Sequence, residues 1–229
     1  MMIKKKEIQR HRMVRYFVEA ACSIADSQGT DAVTARKVAE LAGYNAATLY
    51  NYFDNLPHLL YFIHLRHLKD YAQALPHAIR DIDHPILLYM KICECFNEHG
   101  FQKPQQYYTI FFSEHSEKFN EHLRLYYDAF PEELPPEGLY FYPAFKQNDV
   151  HQKDYNALMA AARKGFLKEE DVVDIVRINF LIFGGMLRHF LSFPSEIGSA
   201  DKAACIATRY QAHTLAGYGV SPELLTDYY

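Results

Sequence analysis

Six side chains between positions 46 and 52 could read a polyanion: Ala46, Ala47, Thr48, Tyr50, Asn51 and Tyr52. Hydroxyls and an amide bond well to phosphate oxygens and base edges, and two alanines allow a backbone to approach a groove closely. Leu49 and Phe53, four apart, would point inward on a helix. Other constellations carry less. Cys93 and Cys95 are two apart, about 200° around a helix, so they read as buried free thiols rather than a metal or redox pair. His64 and His67 share one helix face, but no third ligand accompanies them, and they read as a solvent-facing pair. The sequence lacks a nucleophile elbow, zinc-protease helix, P-loop or dinucleotide glycine fingerprint. No catalytic residue, metal or cofactor is therefore expected.

The elements that must position the six residues follow from local signals. Helical periodicity dominates, with no convincing strand alternation, no repeat and no low-complexity tract. A first helix is expected over about 8–27, with Met13, Val14, Phe17, Ala20, Ala21 and Ile24 inward and Gly29 as its stop. Thr34 suits the N-cap of a short helix over 35–42, and Asn45 that of another over 46–53, with Gly43 between them. Asn55 suits the cap of a long helix from Leu56-Pro57 to about Leu75, which Pro76 should end or kink. Further helices are expected from a cap at Asp83 to about 97, closed by Gly100, then over 104–112, 117–130, 149–164, 169–193 and 199–216. Residues 131–143 read as the one long loop. The fold class is thus all-α.

Charge divides in the same place. The chain has 229 residues and a formal net charge of −4, which taken alone argues against nucleic acid. Yet residues 1–53 carry a net +3 and residues 54–229 a net −7. Lys4, Lys5, Lys6, Arg10, Arg12 and Arg15 stand against Glu7 in the first fifteen positions. Such a split suggests a basic head for a polyanion on a different body. Arg15 and Glu19 interrupt the apolar residues of 13–24, against a signal peptide. The apolar run 175–193 contains Arg177, Asn179, Arg188 and His189, leaving an uncharged core too short for a bilayer. A cytoplasmic protein without a membrane partner is expected.

Helix, glycine turn, helix is the geometry of a helix-turn-helix. The string Thr48-Leu49-Tyr50-Asn51-Tyr52-Phe53, after an Ala-Gly turn, resembles the recognition-helix signature of TetR-family transcriptional regulators. The resemblance covers about Arg12 to Leu60, and the remainder is similar only in length and helical character. It implies a helix-turn-helix DNA-binding domain over 1–55 and a larger helical ligand-binding and dimerisation domain over 56–229. It also implies phosphate contacts from Thr34 and Arg36, a base-facing end at Asn45, Ala46, Ala47 and Thr48, and backbone contacts from Tyr50 and Tyr52. The implied partners are a double-stranded operator, a small-molecule effector and a second copy of the chain. Two departures stand out. Leu56 occupies the place of a common Lys at the fourth helix, with His58 as its substitute, and Tyr44 replaces a small aliphatic residue in the turn. The basic arm 4–15 would compensate by reaching the duplex flank.

The body offers two further expectations. The run 178–187 is apolar nearly all round, so one face should meet the core and the other a twin helix. Ile178, Leu181, Gly184, Gly185 and Leu187, with Ala203 and Ala207 of the last helix, would then form a dimer interface, with a monomeric core helix as the alternative. Fifteen of the 34 Tyr and Phe rings fall within 89–145. They either pack as plain core or line a chamber for a flat or aliphatic effector. The chamber reading names Phe96, Tyr107, Tyr108, Phe111, Phe112, His115, Tyr126, Phe130, Tyr155 and Phe183, with Phe101 and Phe145 as further wall. A DNA-organising or protein-interacting factor without effector is the competing function, and an enzyme with a vestigial helix-turn-helix is a third.

Overall fold

Amphipathic spacing and capping residues set the helices of the computed structural model, which describes residues 2–134 and 150–229. Helix α1 (Met2–Gln28) buries Met13, Val14, Phe17, Val18, Ala21 and Ile24 along one stripe. Thr34 then caps α2 (Ala35–Leu41), its Oγ1 accepting from the Lys37 N–H at 3.3 Å. Helix α2 closes on Gly43, at φ +81°. The Tyr44 N–H reaches back to the Ala39 carbonyl (2.8 Å) and the Gly43 N–H to that of Glu40 (3.1 Å), the two bonds of a Schellman ending.

Asn45 caps α3 (Ala46–Leu49) and Asn55 caps α4 (Leu56–Leu65). The α-helical part of α3 is shorter than the expected 46–53, because Tyr50, Asn51 and Tyr52 continue as turns. The long helix expected over 56–75 is two: α4 yields at Arg66 and His67 to α5 (Leu68–Ala78). Pro76 sits inside α5, and the helix ends two residues later.

Helix α6 (Pro85–Gln102) is the axis of the body, packed against α5, α7 (Pro104–Phe112), α9 (Val150–Arg163) and α12 (Ala200–Gly217). Its N-cap is His84 rather than Asp83, without a side-chain bond. Gly100 does not stop it. A Cβ there would fall 2.7 Å from the Phe183 ring, so the glycine serves close approach instead. Helix α8 (Phe119–Ala129) follows a 3-10 segment over Glu114–Lys118 and leads into another over Pro131–Glu133. The rest of the expected loop, 135–143, lies outside the described residues. Helices α10 (Val172–Ser192) and α11 (Pro194–Ile197) precede α12. Among the described residues there is no strand.

By length and hydropathy alone, residues 169–192 could cross a membrane. In the fold α10 instead packs on α7, α9 and α12 and exposes Asp174, Arg177 and Arg188.

The body core is built on tyrosines as much as on aliphatics. Tyr61, Tyr71, Tyr89, Tyr107 and Tyr126 are fully buried. Buried hydroxyls need partners. Tyr61 donates to the Ile110 carbonyl (2.9 Å) and Tyr126 to Glu133 Oε2 (2.8 Å).

Candidate nucleic-acid interface and the body behind it

Asn45 holds the start of α3 twice. Its Oδ1 accepts from the Thr48 N–H at 2.9 Å and from the Thr48 hydroxyl at 3.0 Å. Leu49 and Phe53 are buried beneath, the Phe53 ring edge-on to Phe17 and Phe62. That anchoring leaves Thr34, Arg36, Asn45, Ala47, Tyr50 and Asn51 exposed together, with Ala46 and Thr48 partly so. Tyr52 is less free, half-buried with its ring 6.0 Å from Phe17. Tyr44 also leans on Phe17, at 5.7 Å, which accounts for an aromatic residue in this turn.

Two basic expectations change. Arg15 is committed to the body: its guanidinium bonds Glu132 (2.8 Å) and the Ala129 carbonyl (3.3 Å) and covers the Phe130 ring at 5.1 Å. Lys6, Arg10 and Arg12, by contrast, are exposed on α1. Lys4 and Lys5 lie in α1.

His58 does not replace the missing Lys. It is 8% exposed, because its ring is enclosed by Phe53, Phe62, His115 and His122. Its Nδ1 accepts from the Asp54 N–H at 3.1 Å, and its ring lies 5.2 Å from that of His115 and 4.7 Å from that of His122. Burial, with His122 next in weight, pushes its pKa down to about 4. Burial also lowers His122. These histidines form a packed joint between the amino-terminal helices and the body. Sequence spacing gave no sign of it, because the rings come from three separate segments.

A second tie joins α1 to the body. Arg66 grips Asp26 in a fork, with contacts of 2.6 and 3.0 Å, and so holds that carboxyl below its usual range.

The ten residues expected around a chamber separate into groups. Phe96, Tyr107, Phe111 and Phe183 pack ring on ring, Phe96 and Phe183 at 4.7 Å. Tyr108 and Phe112 adjoin them, with Phe112 stacked 5.0 Å from Phe180. Phe101 meets Phe183 edge-on. His115 belongs to the histidine joint. Tyr126 and Phe130 stack on each other beside Arg15, and Tyr155 is half-buried in the core. Phe145 lies outside the described residues. Among the described residues the ten do not line one chamber.

The ring-rich cavity holds about 30 Å³ and takes only Phe96 and Phe183 from the ten. Its other lining includes Tyr89, Asn179, Phe180 and Gln211, polar handles that composition did not reveal. Larger open clefts lie elsewhere. One of about 660 Å³ runs between α6, α12 and the carboxyl end, and one of about 510 Å³ lies against α8.

The expected dimer residues divide as well. Ile178, Leu181 and Gly185 are exposed, Leu181 at 68%. Gly184, Leu187, Ala203 and Ala207 are buried within the chain. A Cβ on Gly184 would collide with the Phe112 ring. The alanines let α12 approach the body.

His64 and His67 are partly buried rather than solvent-facing, with rings 6.4 Å apart. Among the described residues no group of three His, Cys, Asp or Glu could hold a metal. Cys93 and Cys95 are buried thiols outside any disulfide, as expected.

An exposed helix-turn-helix at the head of an all-helical body is the architecture of a TetR-family regulator. Residues 17–59 match the family of bacterial regulatory proteins described as tetR, so the chain carries that family's amino-terminal domain. No curated protein matches the chain at a significant level. Among solved structures, FadR of Thermus thermophilus, a TetR-family transcriptional repressor in complex with lauroyl-CoA, superposes with a TM-score of 0.60 at 12% identity, covering 91% of this chain and 95% of that one. RolR in complex with resorcinol gives 0.54 at 16% identity, covering 96% and 94%. RolR without ligand gives 0.52 at 15% identity, covering 93% and 94%. At these identities the likeness is one of fold.

Proposed function

We propose that the chain is a cytoplasmic, homodimeric transcriptional repressor, released from a near-palindromic operator by a small, largely apolar effector. The observation that carries this reading is the exposed set Thr34, Arg36, Asn45, Ala47, Tyr50 and Asn51, with Thr48 partly exposed, over the buried Leu49 and Phe53, on a segment whose first helix also exposes Lys6, Arg10 and Arg12. Ala46, Tyr52 and Leu56-Pro57 stand at its edge, and a contact from Tyr52 would involve its hydroxyl while its ring stays packed. Ile178, Leu181 and Gly185 supply an apolar surface for a second copy, which would set two heads about one DNA turn apart. The solved structures of the same fold bind resorcinol and lauroyl-CoA, in keeping with an effector body. No catalytic or cofactor-binding role is read for the chain.

The packed rings give some support to the effector-free alternative, a DNA-organising factor on the same fold. Selection from random DNA followed by gel shifts separates these. The repressor reading expects one enriched palindrome, a complex weakened about tenfold or more by Tyr50→Ala, and its dissolution by a small molecule. A sequence-specific complex that no small molecule affects would favour the alternative.

A further inference from the structure

The 30 Å³ cavity is small, yet its chemistry is incomplete. Asn179 is 3% exposed and held from two sides. Its Nδ2 donates to the Tyr89 hydroxyl oxygen at 2.8 Å, and its main-chain carbonyl accepts from Gln211 Nε2 at 3.1 Å. Gln211 is itself fixed, its Oε1 accepting from Asn97 Nδ2 at 2.8 Å. The Tyr89 hydroxyl also pairs with the Cys93 thiol. Asn179 Oδ1 is left buried without a hydrogen-bond partner, and Asn179 lines the cavity. An orphaned amide oxygen beside a void calls for a donor.

The rest of the lining narrows the donor's kind. Phe96, Phe180 and Phe183 contribute ring surface, and Asp154 sets a carboxylate at the wall. A carboxylate anion has no hydrogen to give an unpaired acceptor, so a neutral donor is favoured. At about 30 Å³ the void is too small for a ring, so a larger ligand must displace a wall. Phe180 is the wall the ligand would displace, giving up its stacking on Phe112. It is half-buried and borders both this cavity and the open cleft of about 510 Å³ against α8. Swinging that one ring would join the two spaces.

We propose that this cavity is the contracted form of a binding site for a small uncharged phenol, its hydroxyl donating to Asn179 Oδ1 and its ring lying among Phe96, Phe180 and Phe183. The inference deepens the reading of the body as an effector domain and rests on it. A phenol fits better than an aliphatic alcohol, because its face and edges match three aromatic walls and its O–H is the stronger donor.

Calorimetry on the full-length protein with phenol, toluene and benzoate tests the site. Phenol should bind at least about tenfold more tightly than toluene, the worth of one buried hydrogen bond, and benzoate should not bind. Asn179→Leu should abolish the preference for phenol. Phe180→Ala leaves Asn179 in place and widens the entrance, so it should keep the preference and bind phenol at least as tightly. It decides the matter if Asn179→Leu does not fold. Equal binding of phenol and toluene, a preference that survives Asn179→Leu, or no phenol binding by wild type and Phe180→Ala would each overturn the site. DNA binding without phenol binding would defeat this inference alone. Phenol binding without DNA binding would defeat the regulator reading alone.

Discussion

Asn45 ties structure to recognition within one side chain, since the oxygen that caps α3 belongs to a residue exposed on the proposed DNA face. Asn45→Ala should lower stability by about 1 kcal/mol, the usual worth of such a cap. Asn45→Asp keeps the acceptor and should retain that stability while adding a charge that repels DNA. Denaturant titration beside a gel shift would separate the two effects. His58 carries a pH dependence. It ionises at about 4 in the fold against 6.5 ordinarily, so between those values the unfolded chain binds the extra proton and stability falls with acid. His115, His122 and Lys118 lie on the side of this effect, while Asp54 opposes it and Glu114 and Glu121 flank the other histidines. The melting temperature should drop by a few degrees between pH 7 and 5, and His58→Phe should flatten that slope. An unchanged slope would place the acid sensitivity elsewhere.

Elements show where sequence reading succeeds and where it stops. The caps at Thr34, Asn45 and Asn55 were legible because a cap acts on N–H groups three residues away. The all-helical class was legible from periodicity. Partners far along the chain were not. Arg15 looks like part of a basic arm until its contact with Glu132 is seen. Gly100, Gly184, Ala203 and Ala207 show the same limit, because small residues on an apolar face do not reveal whether the neighbour lies in the same chain or another. The site residues Asn179 and Gln211 were hidden for a related reason: a polar residue inside an apolar helix has meaning only once its partners are known. The ties Arg15–Glu132 and Arg66–Asp26 link α1 to the body. Exposed pairs contribute little stability, about 0–1 kcal/mol, so their role should appear in coupling. The double variant Glu132→Gln/Asp26→Asn should fold and bind DNA while losing most of its response to effector. Full retention of that response would show that the coupling runs elsewhere, as through the histidine joint.

At the scale of the molecule, a +3 amino-terminal segment on a −7 remainder suits a protein that meets DNA with one end only. Two such ends are needed for a palindrome, and the exposed Ile178, Leu181 and Gly185 are the proposed means of pairing them. Leu181→Glu should turn a dimer into a monomer in sedimentation and cost operator affinity by a hundredfold or more, without unfolding a residue already 68% exposed. A wild-type monomer would remove this part of the reading. The central claim, that the surface around α3 reads DNA sequence, is tested most directly by selecting ligands from random duplex DNA with wild-type protein and with Tyr50→Ala/Asn51→Ala. Wild type should enrich a near-palindromic site, and the variant, folded with an unchanged melting curve, should enrich none. No enriched sequence from wild type, or the same sequence from both proteins, would contradict it.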